Sequence, residues 1–104
     1  MTKLNLKEGA NMEKFTFENV ESAQGAVVKV AGQNGEVELE VSTVDRTKLN
    51  GEQWDAFRVM LKGKVDEPLD QGTYRLTHEA FGEAELFLSP NSETEYEIYI
   101  TTQK

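Results

Sequence analysis

Residues 25–44, GAVVKVAGQNGEVELEVSTV, alternate apolar and polar side chains on both sides of an Asn-Gly pair. No other feature of the chain restricts its fold so tightly. A period of two sends successive side chains to opposite faces of a strand. Asn-Gly between two such runs predicts a two-residue type I′ turn, because both central positions require positive φ. With Asn34 and Gly35 at the centre, Gln33 faces Glu36, Val30 faces Leu39 and Val28 faces Val41. The apolar residues then share one face. Lys29 lies against Glu40 on the other, an opposite-charge pair that contributes roughly 0.2–1 kcal/mol. A slip of one residue would turn the whole apolar set toward water.

The same period recurs downstream. In residues 54–63, WDAFRVMLKG, Phe57, Val59 and Leu61 share a face, with Trp54 and Met60 on the other. Residues 71–90, QGTYRLTHEAFGEAELFLSP, read as a hairpin. Pairing Leu76 with Leu86 sets Tyr74 opposite Leu88, His78 opposite Ala84 and Arg75 opposite Phe87. The loop is then roughly EAFGE, with Gly82 free to take the left-handed conformation. The last run, residues 95–101, sets Tyr96, Ile98 and Ile100 against Glu97, Tyr99 and Thr101. Near the start, Phe15, Phe17 and Val20 suggest a short first strand, and VESAQG a single helical turn ended by Gly25. These six to seven short strands, with no long helix, predict an all-β fold, a small antiparallel barrel or sandwich built from hairpins. A barrel is preferred because closure removes exposed edges. Residues 1–12 read as a flexible N-terminal tail and residues 13–104 as one β-barrel domain.

Composition narrows the function classes. The chain has 104 residues and a net charge of −8, with its 11 Lys and Arg scattered. Phosphate backbones and anionic lipid surfaces are repelled by such a field, so no nucleic-acid or membrane partner is expected. There is no cysteine, which removes disulfides and thiolate chemistry and suits a cytoplasmic location. The first 12 residues contain no apolar run of signal-peptide character, and no stretch reaches the ~20 apolar residues of a membrane-spanning helix.

The stretch LDQGTYRLTHEAFGEAELFLSP, with the aromatic last strand, resembles a family of small uncharacterised bacterial all-β domains. These end in QG-x-Y-x-L-x-H-x-x-[LF]-G-x-x-x-LFL-x-P. FTFENVESAQGAVVKV and EVELEVSTV are similar to the family's front half, so the resemblance covers roughly residues 14–101. It implies a single domain and no catalytic residue. For some members of that family it also implies a setting beside phage-tail-like genes.

His78 is the only histidine. A metal site would need further ligands converging on it, and a general base would need a partner. Neither is recognisable, so His78 is assigned to the turn together with Asn34, Gly35 and Gly82. Glu36, Glu38 and Glu40 share a strand face, spaced ~7 Å apart, too flat for a calcium loop, and read as a solvated outer surface. No catalytic residue, metal or cofactor is expected. If Leu86 pairs with Ile98, Phe87 falls opposite Glu97 and Glu85 opposite Tyr99. Arg75, Phe87, Glu97 and Tyr99 then gather on one outer face, a composition common at interfaces. The reading is a non-enzymatic interaction or assembly module, in one version an accessory piece of a phage-tail-like assembly, whose partner is a protein or a second copy. A small-ligand-binding barrel is the alternative, and a hydrolase ranks third.

Overall fold

A computed structural model describes residues 14–32 and 35–103. A helix, α1 (Phe17–Ser22), precedes six strands: β1 (Val27–Gly32), β2 (Gly35–Arg46), β3 (Trp54–Lys62), β4 (Gly72–His78), β5 (Gly82–Pro90) and β6 (Glu95–Gln103). All pairings are antiparallel, and the strands close into a barrel in the order β1-β2-β3-β6-β5-β4. Two three-stranded meanders thus meet through β3–β6 and β1–β4. The segment between β3 and β4 crosses one end of the barrel. The flexible-tail expectation for residues 1–12 lies outside the described residues.

Alternation sorts the faces as expected. Val28, Val30, Leu39, Val41, Phe57, Val59, Leu61, Leu76, Leu86, Leu88, Tyr96, Ile98 and Ile100 are all buried in one core. The hairpin registers differ from the sequence reading, each by two residues. Val30 pairs with Val37, Val28 with Leu39 and Lys29 with Glu38, and the ladder ends at Gly32↔Gly35. Gly35 is therefore a paired residue at φ +126° rather than a central turn residue, and Asn34 lies outside the described residues. A Cβ on Gly32 would stand 2.6 Å from a Tyr74 ring carbon, so a glycine there lets β1 and Tyr74 meet. In the second hairpin Leu76 pairs with Ala84, Tyr74 with Leu86, Arg75 with Glu85 and His78 with Gly82. The loop is Glu79, Ala80 and Phe81, and Phe81 turns inward to complete burial. Gly82 has the expected left-handed φ, +74°.

The alternation also changes phase within β2. Val41 pairs with Leu61 but Thr43 with Met60, so the strand carries a bulge there. The extra residue moves the core position from odd to even numbers, and Val44 is buried. Without it, Thr43 and Asp45 would face the core.

The expected first strand is a helix instead. The Thr16 side chain accepts from the Asn19 backbone N–H at 3.2 Å, an N-cap that commits the chain to helical turns. Phe15 then points inward, with its ring 4.8 Å from Phe81 and 6.1 Å from Phe57, and Phe17 lies 5.9 Å from Phe57. This aromatic set closes one barrel end. Arg46 holds the helix to β2 and β3. Its guanidinium lies 4.2 Å over the Phe17 ring, donates to Glu18 at 3.2 Å and to Asn50 Oδ1 at 2.9 Å, and pairs with Asp55.

The crossover, residues 63–71, covers the opposite end. Leu69 packs on the core, and its N–H donates to the buried Tyr96 hydroxyl at 2.9 Å. The Gly63 N–H donates to the Thr94 carbonyl at 2.7 Å. The Tyr74 hydroxyl donates to the Asp70 carbonyl at 2.6 Å. Burial, reinforced by the nearby Asp70 charge, raises the Tyr74 pKa above its ordinary 10.0. A raised phenol pKa stabilises the fold fully below the unfolded value and loses that contribution as pH climbs through the folded one. Tyr74→Phe should therefore cost about 0.5–1 kcal/mol at neutral pH. It should also lose less stability than the parent above about pH 10. Denaturant midpoints of both proteins across the alkaline range measure this.

Candidate interaction surface

β5 and β6 place the candidate residues. On β5 the outward positions are Glu83, Glu85 and Phe87; on β6 they are Glu97, Tyr99 and Thr101, because the even-numbered residues between them are in the core. Phe87 is 53% exposed and Tyr99 59%. The expected row through Arg75, Phe87 and Glu97 is rearranged by the register. Arg75 lies opposite Glu85, with Nη2 3.6 Å from the carboxylate, and Phe87 lies opposite Thr73. Glu97 faces Ser89 and Tyr99 faces Arg58 of β3. The β5–β6 ladder consists of Ser89↔Glu97 and Pro90↔Tyr96. Phe87 and Tyr99 are the next outward residues beyond those pairs, one on each strand. The structure thus brings Phe87, Glu97 and Tyr99 to one region and sets Arg75 on its β4 flank.

Arg58 is a member that sequence reasoning missed. Its Nη2 lies 3.1 Å from Asp45. Hydrogen bonding to Asp45, and then to Tyr99, raises its pKa further above the ordinary guanidinium value. The outer row is therefore Asp45, Arg58, Tyr99. Only the pairing of β3 with β6, distant in sequence, reveals it.

His78 is the last residue of β4, beside the turn. Its Nδ1 accepts the Ala80 backbone N–H at 3.0 Å, and its ring lies 5.9 Å from Phe81. The histidine thus closes the loop that carries Phe81 into the core. His78→Ala should lower stability by about 1–2 kcal/mol, the cost of an unmade hydrogen bond in a half-buried turn. His78→Asn should recover part of it, because an Asn oxygen can accept from the N–H two residues on. Thermal denaturation of the two variants decides this. A loss of the same size in both would show that the ring's packing matters and the hydrogen bond does not.

Two surface clefts lie at the crossover end. One, of about 610 Å³, runs between Gly32 and Gly35 on one side and residues 66–74 on the other, with Glu36, Asp66, Glu67 and Asp70 in its walls. The other, of about 690 Å³, adjoins it beside Glu38, Glu40 and Lys62. The expected solvated face of Glu36, Glu38 and Glu40 is thus exposed and also forms a cleft wall. No group of three or more His, Cys, Asp or Glu among the described residues is placed to hold a metal ion. No helix among them is long and apolar enough to cross a membrane.

The family of a domain of unknown function, DUF6916, matches residues 15–100. The chain belongs to that family. No curated protein matches it, and no solved structure does. The matched residues of this DUF6916 domain run from Phe15, the first aromatic of the closed end, to Ile100, the last buried residue of β6. The family's span therefore coincides with the packed barrel, including α1 and both end closures.

Proposed function

We propose that this DUF6916 domain is a non-enzymatic interaction module that binds a partner protein through the outer face of β5 and β6. The single observation behind this reading is the exposure of Phe87 and Tyr99 on neighbouring strands whose inner residues are fully buried. Burying a side chain of this size is worth roughly 1.5–3 kcal/mol, so two such rings left in water favour an occupant. Arg75 and Arg58 flank the rings, and Arg and aromatic residues are enriched where binding energy concentrates.

The barrel interior supports this reading over a small-ligand carrier. Phe57, Leu61, Leu76, Leu88, Tyr96 and Ile98 fill it with fully buried side chains. A phage-tail-like assembly is one setting for such a module, and that setting rests on the family resemblance alone. The cysteine-free composition suits a reducing cytoplasm. The test is comparative capture. Full-length wild type and a Phe87→Ser/Tyr99→Ser double variant are used as bait in extracts of the source cell. The wild type should retain a protein that the equally folded double variant loses. Identical retention by both would defeat the proposal.

A further inference from the structure

The six junctions of the barrel are unequal. β3–β6 has nine pairs and β4–β5 seven, whereas β5–β6 has two, both beside its turn. From Gly82 to Leu88, β5 is laddered to β4. From Tyr99 to Gln103, β6 is laddered to β3. The sides of β5 and β6 that face one another beyond Ser89 and Glu97 have no ladder partner among the described residues. Backbone N–H and C=O groups are obligatory hydrogen-bonding groups, and a free strand side is a template for another strand.

We propose that the free side of β5, from Gly82 to Phe87, accepts an extended basic segment of a partner protein by strand addition. The proposal rests on the interaction reading above and gives the partner's chemistry. Three features converge on it. The free side supplies main-chain hydrogen bonds, which give affinity in strand addition without regard to sequence. Phe87 at one end of the stretch offers an apolar contact, with Tyr99 across the opening. Glu83 and Glu85 stand exposed on the outward face at the spacing of alternate residues on an added strand. Glu85 shares its exposed carboxylate with Arg75 of β4 at 3.6 Å, and Glu83 lies beyond that pair. The acidic end of the face, at Glu83 and Glu85, therefore complements Lys or Arg on the added strand. A second copy of this chain would bring another net charge of −8, and like-charge apposition disfavours it.

The probe is an acetylated peptide of alternating Lys and Val, about nine residues long, close to an ordinary strand length. Two controls accompany it: the same peptide with Pro at its centre, and one with Glu in place of Lys. Backbone amide exchange of the full chain is followed by NMR. The Lys-Val peptide should protect, between residues 83 and 87, the alternate amides that point away from β4. The Pro peptide, lacking a ladder donor, should bind about ten-fold more weakly or worse. The Glu peptide should not compete. Glu83→Lys/Glu85→Lys should reverse the preference between the Lys and Glu peptides.

Equal binding of the Pro peptide would overturn strand addition, and equal binding of the Glu peptide would overturn the charge assignment. Protection of those outward-pointing amides already present in the free chain would place a segment of the chain itself on the free side of β5. Protection that rises with protein concentration would place a second copy there. Either result overturns the proposal. If the Lys-Val peptide leaves β5 unprotected while the Phe87→Ser/Tyr99→Ser bait still loses its partner, the surface reading stands and the strand mode falls.

Discussion

Phe57→Ala should remove about 3–5 kcal/mol of stability, the usual cost of deleting a fully buried aromatic side chain. Phe57 is 1% exposed and is the ring on which Phe15 and Phe17 both rest. Its loss therefore opens a cavity and releases the helix that closes that barrel end. A domain of this length has a total stability on the order of 5–15 kcal/mol. The variant should be near the limit of folding at 37 °C. Urea denaturation should show the midpoint shift, and amides of Val20 and Ala23 should exchange before those of β3, because α1 loses its seat first. Phe57→Leu refills much of the volume and should cost roughly half as much or less. A loss under about 1 kcal/mol for Phe57→Ala would mean that the closed end does not depend on this ring.

The helix illustrates where sequence reading stops. Phe15 and Phe17 are spaced by two, as in a strand, and a strand was the expectation. The side chain of Thr16 decides otherwise by capping Asn19, and the two rings then meet Phe57 and Phe81 from residues far along the chain. Local periodicity holds no record of those partners. The hairpins illustrate the opposite. Both ladders between β1 and β2 and between β4 and β5 are two residues away from the expected register, yet every core residue named from alternation is on the correct face. A shift of two preserves the faces and a shift of one reverses them, so burial specifies parity and leaves the turn to choose the pair. In the second hairpin Phe81, buried although it lies in the loop, accompanies the observed pair, and its burial is a matter of tertiary packing.

The candidate surface divides in the same way. Phe87 and Tyr99 face outward as parity requires, whereas the neighbours of each are set by register and by strand order. Arg75 therefore meets Glu85 instead of Phe87, and Arg58 joins Tyr99 through a pairing of β3 with β6 that no hairpin signal contains. The short β5–β6 ladder was equally invisible, since hairpin reasoning extends pairing along the full length of both strands.

Phe87→Ser should weaken partner binding by about 30-fold or more, equivalent to the ~2 kcal/mol typical of a central interface aromatic. Stability should change little, within about 0.5 kcal/mol, since Phe87 is half exposed in the isolated chain and the core side of β5 is untouched. These two outcomes separate an interaction surface from a structural one, because a core ring would show the reverse pattern, as Phe57 should. The decisive measurement takes both quantities from one preparation of Phe87→Ser: its urea midpoint beside wild type, and its affinity for the protein that wild type captures. The account predicts an unchanged midpoint and a lost partner. A variant that unfolds at markedly lower urea, or one that keeps the partner at wild-type affinity, would contradict it.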